Sequence, residues 1–243
     1  MDLIFMLTHE DRTVPGCLEV LEQIAPLGLT HLGFKDVGAD QATLRALSRR
    51  IAALGATSYL EVVSTDRAGC LAAARAAAEL GVHKVMGGTD AAAMLSILKP
   101  AGVKLLPFPG RPEGHPTKLG GDPGLVAGHC RSFIAQGCAG ADLLAYRATE
   151  ADPLALVRAA RQGLGDAELV VAGSVVDTEQ IAALAAAGVD GFTVGGAVFA
   201  ERWAPGRKGV VAQLKALVAD TRKHGGNGRA LQRGAGSLGG AGG

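Results

Sequence analysis

Apolar positions along the chain follow two periods that take turns. Short runs of β-branched and apolar residues give way to longer stretches whose apolar residues recur three or four apart. The runs predict strands over Leu3–Thr8, His31–Val37, Ser58–Ser64, Lys84–Thr89, Lys104–Pro109, Asp142–Arg147, Leu169–Gly173 and Gly191–Gly195. The stretches between them predict helices over Val14–Leu27, Gln41–Leu54, Arg67–Leu80, Ala91–Leu98, Gly124–Gln136, Pro153–Leu164, Thr178–Ala187 and Lys208–Lys223. Several of these helices run into a glycine at the C-cap position, among them Gly28, Gly81, Gly137 and Gly165. Strand–helix units of about 30 residues, repeated to the end of the pattern, predict an α/β fold of the (β/α)8 TIM barrel type. The alternative, an open doubly wound sheet, calls for a glycine-rich turn after its first strand. Here that turn is Thr8-His-Glu-Asp-Arg-Thr13, which has no glycine.

Composition refines this picture. Hydrophobic residues make up 48% of the 243 positions and aromatics only 4%, so the core is to be built from Ala, Val, Leu and Ile rather than from large rings. A formal net charge of +1 gives no global field for nucleic acid or for an anionic membrane, so anion binding has to be local. Cys17, Cys70, Cys130 and Cys138 form no CxxC pair and read as buried, reduced thiols. The opening residues MDLIFMLTHED lack a basic segment, and their apolar run is too short for a signal peptide or a membrane span, which makes a cytoplasmic location the default expectation. Residues 1–223 are expected to form the barrel. Residues 224–243, rich in glycine and poor in apolar side chains, are expected to be a disordered tail.

The stretch from Val170 to Phe199 carries the most specific signal. Two apolar runs end in Gly173-Ser174 and Gly195-Gly196, with an alanine-rich helical segment between them. Glycine has no Cβ, so such turns let the backbone approach an anion closely and point several N–H groups at it. The residues after Gly196 can supply a short helix whose N-terminal dipole favours the same anion. With these pairs at the seventh and eighth strand ends, the chain resembles the phosphate-binding barrels of the ribulose-phosphate-binding type. That group includes the histidine and tryptophan biosynthetic barrels, the pentulose-phosphate epimerases and the sugar-phosphate decarboxylases. The resemblance is motif-level at the glycine pairs and architectural from Met1 to about Lys223. It implies that the amides of Gly173, Ser174, Gly195 and Gly196 bind a substrate's phosphate, and that the chemistry lies at the C-terminal ends of the other strands.

The resemblance reaches no particular sub-family. His31-Leu-Gly-Phe-Lys-Asp36 is similar to the epimerases' His-x-Asp-x-Met-Asp metal site, but Gly33 stands in place of the first aspartate and strand three offers no histidine. Glu61-Val-Val-Ser-Thr-Asp66 falls where the decarboxylases carry Asp-x-Lys-x-x-Asp, but Val63 replaces the lysine. Phe34-Lys35-Asp36 is similar, over that tripeptide, to the Val-Lys-Asn of barrels that make a furan phosphate through a Schiff base.

Individual residues then become candidates. Lys35 shares a face of strand two with His31 and Gly33, the face expected to point into the barrel. Apolar barrel walls would lower its pKa and make it a Schiff-base nucleophile, or else an electrostatic partner for an enediolate; a surface pair with Asp36 is the plainer alternative. Glu61 lies in the otherwise apolar Tyr-Leu-Glu-Val-Val, where an outward carboxylate would be buried against helices at a cost of several kcal/mol, so it should face inward as a general base or as a structural partner of Lys35. The loop Pro109–Gly121 is long enough for a lid. In it Arg111, His115 and Lys118 are candidates to close on an anion, with His115 as a mobile acid or base. Arg147 is a candidate to hold a carboxylate or a second phosphate, or to pair with Glu150 or Asp152. Asp11 reads as a loop residue that binds substrate or is simply solvated, and Asp142 as the start of strand six, away from the catalytic face.

These readings converge on an enzyme for a small phosphorylated carbonyl compound. It would work by enediolate or Schiff-base chemistry as a lyase, aldolase or isomerase, with Lys35, Glu61 and His115 catalytic. Gly173, Ser174, Gly195 and Gly196 would bind phosphate, with Arg111 and Arg147 holding other parts of the substrate. The sequence implies no cofactor and no metal-ligand spacing, and the alanine-rich helix faces are compatible with a homo-oligomer. The rival reading is a non-catalytic barrel that binds a phosphorylated metabolite as a sensor or a subunit of a complex.

Overall fold

A computed structural model describes residues 1–225. The expected tail therefore lies, but for His224 and Gly225, outside the described residues. The strands of the main sheet are β1 (Asp2–Met6), β2 (His31–Lys35), β3 (Thr57–Glu61), β4 (Lys84–Met86), β5 (Lys104–Leu106), β6 (Gly140–Leu143), β7 (Glu168–Val171) and β8 (Gly191–Val194). All pair in parallel, in the order β6-β7-β8-β1-β2-β3-β4-β5. The two edges meet. Ala139 N–H donates to the Leu105 carbonyl at 3.0 Å and Asp142 N–H to the Pro107 carbonyl at 3.1 Å, which closes the sheet into a barrel.

The helices are α1 (Cys17–Ile24), α2 (Gln41–Ala53), α3 (Arg67–Leu80), α4 (Ala91–Leu98), α5 (Pro123–Gln136), α6 (Pro153–Leu164), α7 (Thr178–Ala186), α8 (Gly196–Phe199) and α9 (Val210–His224). Six begin at an aspartate, Asp40, Asp66, Asp90, Asp122, Asp152 and Asp177, whose carboxylate accepts the backbone N–H three residues on. Each such cap contributes about 1 kcal/mol. The repeated cap explains why α3, α4 and α6 begin where the hydrophobic period says they should. No helix among the described residues is long and apolar enough to cross a membrane.

The sheet's outer face and the helices enclose one large apolar core, and all four cysteines are buried without a disulfide. The barrel interior holds a smaller set: Ile4, Met6, Tyr59, Met86, Leu106 and Val170. Its N-terminal end is closed by polar groups that satisfy one another. Both carboxylate oxygens of Glu168 accept from Lys84 Nζ at 2.7 Å, Lys84 also reaches the Tyr59 hydroxyl at 3.3 Å, and that hydroxyl meets His31 Nδ1 at 2.9 Å.

Two departures from the sequence reading matter for function. Strand six begins earlier than Asp142, because Gly140 and Ala141 already pair with Glu168 and Leu169. It ends at Leu143, and Tyr146 and Arg147 sit in a 3-10 turn over Ala145–Arg147. The loops after β1 and β5 are not irregular either. Thr8–His9 pairs with Arg12–Thr13, and Arg111–Glu113 pairs with Lys118–Gly120, as two short antiparallel hairpins above the barrel.

Candidate active site

The register that pairs β2 with β3 sets Lys35 directly opposite Glu61 at the C-terminal ends of both strands. Lys35 Nζ lies 3.2 Å from Glu61 Oε1 and 2.7 Å from Asp11 Oδ1, and all three side chains are under 10% exposed. Asp11 is delivered by the first hairpin, where Glu10 and Asp11 take left-handed backbone angles, φ 49° and 55°. Thr13 Oγ1 fixes that hairpin to β2 by accepting the Lys35 N–H at 2.9 Å and donating to the Lys35 carbonyl at 2.8 Å. From the opposite side the Arg147 guanidinium grips both oxygens of Asp11 at 3.1 Å and donates to the Thr117 carbonyl at 3.3 Å.

This cluster corrects the expectation for Lys35. Burial alone would lower its pKa, but the Glu61 and Asp11 carboxylates outweigh burial and raise it, so the resting group is an ammonium. Asp36, the partner in the plainer reading, instead accepts the Val63 N–H at 3.2 Å. Burial tends to raise the Asp11 pKa, but Arg147 and Lys35 overcome it and bring it down to about 2. A carboxyl whose pKa is lower folded than unfolded stabilises the fold above its unfolded value, and that stability is lost as pH falls toward the folded one. Acid unfolding should therefore remove about 2 kcal/mol through Asp11 between about pH 4 and pH 2. In urea titrations from about pH 2 to pH 7, Asp11→Asn should lower stability at pH 7 and flatten the limb below about pH 4; an unchanged slope would contradict the assignment.

Above the cluster opens a cavity of about 660 Å³, lined from one side by Asp11, Lys35 and Glu61 and from the other by Gly173, Ser174, Gly195, Gly196 and Arg147. Gly173 and Ser174 turn through left-handed angles, φ 75° and 62°. A Cβ on Gly173 would collide with the Arg147 guanidinium, which lies over that turn. Gly195 packs against the end of β1, and a Cβ there would lie 2.8 Å from both the Met6 and Thr8 carbonyl oxygens. α8 follows at once, and among the described residues the amides of Ser174, Gly196 and Ala197 make no hydrogen bond within the protein. Residues with unused N–H groups from two turns thus line one space.

Of the residues singled out in the sequence, Lys35, Glu61, Arg147 and the four glycine-loop residues share this cavity. Arg111 and His115 do not line it. Arg111 is held by Glu150 at 2.6 Å on the outer side of the second hairpin, and His115 is exposed at its turn, while Pro116, Thr117 and Lys118 of the same hairpin reach the cavity. Neither expected partner takes Arg147, since Glu150 is bound to Arg111 and Asp152 caps α6.

Two acids carry more than the sequence reading assigned them. Asp11 is the hub between Lys35 and Arg147. Asp142 is fully buried on the inward face of β6, with Ala141 and Leu143 in the outer core. Burial and the nearby Glu61 charge push its pKa well above the ordinary value, against the pull of Lys35 and Arg147. The argument that turned Glu61 inward, a carboxylate in an apolar strand, applies equally to Asp142 once β6 is allowed to start at Gly140. Among the described residues no group of three or more His, Cys, Asp or Glu side chains is arranged to hold a metal ion.

Comparison with solved structures places this architecture. The native KDPGal structure superposes over 91% of this chain and 97% of its own, with a TM-score of 0.64 and 15% identity. Orotidine 5'-phosphate decarboxylase from Pyrococcus horikoshii OT3 does so over 90% and 99%, with a TM-score of 0.61 and 13% identity. The chain has their barrel fold. Mandelate oxidase matches as well, over 91% of this chain and 72% of its own, with a TM-score of 0.62 and 14% identity. The same scaffold thus carries a decarboxylase in one structural neighbour and an oxidase in another, so the reaction must be argued from the side chains. The sequence matches no protein-family model and no curated protein.

Proposed function

We propose that the protein is an enzyme acting on a small phosphorylated carbonyl compound through an enediolate, as an isomerase or lyase. The observation that carries this reading is the Lys35 ammonium, clamped between Asp11 and Glu61 in the same cavity that the Gly173–Ser174 and Gly195–Gly196 turns wall. The phosphate would take the free amides of Ser174, Gly196 and Ala197. Its carbonyl oxygen would approach Lys35, whose charge stabilises the oxyanion in a site shielded from bulk water. Glu61, already within reach of that ammonium, would move the proton on the neighbouring carbon. Arg147 and Lys118, both lining the cavity, would hold the remaining oxygens. The likeness to orotidine 5'-phosphate decarboxylase supports a phosphorylated substrate.

A resting ammonium favours electrostatic stabilisation over imine formation, because an amine nucleophile would first have to give its proton away. Incubation with phosphorylated aldehydes and ketones in D₂O should place deuterium next to the carbonyl. Borohydride added to the same mixtures should leave the protein mass unchanged. A reduced adduct on Lys35 would replace the enediolate route by the imine route, and binding across the panel with neither exchange nor turnover would favour a non-catalytic metabolite-binding barrel.

A further inference from the structure

The cavity holds a cation that the mechanism above leaves unused. Five residues that line it can carry positive charge: His9, Lys35, Lys118, Arg147 and Arg202. Three of them are already met within the protein. Lys35 lies between Asp11 and Glu61, Arg147 grips Asp11, and His9 Nε2 lies 3.9 Å from Glu10 Oε1. Lys118 and Arg202 have no side-chain hydrogen bond or ion pair among the described residues. Charge balance makes that difference matter. The amides of Ser174, Gly196 and Ala197 are neutral donors, and the charges of Lys35 and Arg147 are offset by Asp11 and Glu61. A phosphate taken out of bulk water onto amides alone would keep its charge uncompensated, which is costly. The counter-charge has to come from Lys118 or Arg202.

The fold favours Arg202. It follows α8 on the same connection that carries Gly195, Gly196 and Ala197, and its own N–H donates to the Ala197 carbonyl at 2.8 Å. Glu201, just before it, takes a left-handed φ of 53° and turns the chain back. Trp203, just after it, is buried, with its indole N–H donating to Asp220 Oδ2 at 3.0 Å. Gln213 of α9, 0% exposed, braces the rest of the loop: Oε1 accepts the Ala204 N–H at 2.8 Å, and Nε2 donates to the Ala204 carbonyl at 2.9 Å and the Arg207 carbonyl at 2.6 Å. The adjacent carboxylate, Glu201, is taken by the Gly209 N–H at 2.8 Å and by Lys208 at 3.0 Å. A fixed backbone thus holds an exposed, unpaired arginine beside the glycine turn.

We infer that Arg202 is the counter-charge of the substrate's phosphate, its guanidinium closing on oxygens that the turn amides leave free. The inference rests on the reading of this cavity as a phosphate site and adds the side chain that sets its affinity. A guanidinium offers two parallel donors that match the edge of a phosphate, which an ammonium does not. Lys118, on the second hairpin, is left for the rest of the substrate.

Calorimetric titration of the full chain with inorganic phosphate tests the assignment without a substrate. Arg202→Gln should weaken binding by about 10–100-fold, and Arg202→Lys should recover part of the loss. Lys118→Gln should cost clearly less. The urea midpoint of Arg202→Gln should match the wild type, because an exposed side chain without a partner holds no part of the fold. Undiminished affinity in Arg202→Gln overturns the inference, and so does a loss in Lys118→Gln as large as in Arg202→Gln. A lowered urea midpoint would mean that Arg202 braces the loop rather than the ligand, and overturns it as well. Failure of the enzymatic reading looks different: phosphate would bind, and bind through Arg202, with no exchange or turnover on any phosphate ester. A wild type that does not bind inorganic phosphate removes the phosphate site and this inference with it.

Discussion

Replacing Lys35 by methionine is expected to destabilise the protein by about 3–5 kcal/mol and to lower turnover by a factor of about 10²–10³. Methionine is unbranched and one atom shorter, so it fills most of the space and the loss comes mainly from charge. Asp11 and Glu61 are each under 10% exposed on their side chains and now face each other without the cation between them. Asp11 retains the two-pronged grip of Arg147, whereas Glu61 has no other hydrogen bond or ion pair among the described residues. Loss of the ammonium also removes the group that would meet an oxyanion. Urea unfolding and steady-state kinetics on the same preparation separate the two effects. Lys35→Arg should keep part of both, because a guanidinium restores the charge but not the compact geometry. Equal activity in the methionine variant would end the electrostatic role assigned to Lys35.

Gly195→Ala should weaken the binding of inorganic phosphate or of a phosphate ester by about 10–100-fold, and destabilise the fold by about 1–3 kcal/mol. The added methyl meets two backbone oxygens, those of Met6 and Thr8, and neither can swing aside as a side chain would. The turn must therefore lift away from β1, taking the Gly196 and Ala197 amides with it. Gly196→Ala is the control for the fold. Its Cβ would find only His9 Nδ1, at 3.8 Å, an ordinary contact, so stability should stay close to wild type. Urea unfolding of both variants checks that contrast, and calorimetric titration checks the affinity of Gly195→Ala. If Gly195→Ala binds as well as the wild type, the anion does not sit between these turns.

Much of the architecture was legible because it is written in periods and punctuation. The alternation of two-residue and helical spacing gave every strand of the barrel, and glycines marked where helices stop. Lys35 and Glu61 were found because a charge in an apolar strand has few places to go. Asp142 obeys the same rule but was hidden by a boundary, since Gly140 looks like part of the turn before β6 and is in fact its first residue. Asp11 was hidden for a different reason. It lies in a charged loop whose hairpin pairing comes from backbone angles and from Thr13 holding β2, and no local pattern announces either. In the second hairpin Arg111 and His115 have suitable chemistry but lie outside the cavity lining, which takes Pro116 and Thr117 from the turn and Lys118 from the returning strand.

The closed N-terminal end of the barrel has a bearing on traffic. Lys84, Glu168, Tyr59 and His31 seal it with hydrogen bonds, and Ile4, Met86 and Leu106 fill the space above them. Among the described residues the site is therefore a cup that opens at the C-terminal end of the barrel, and what enters there has no way through to the other end.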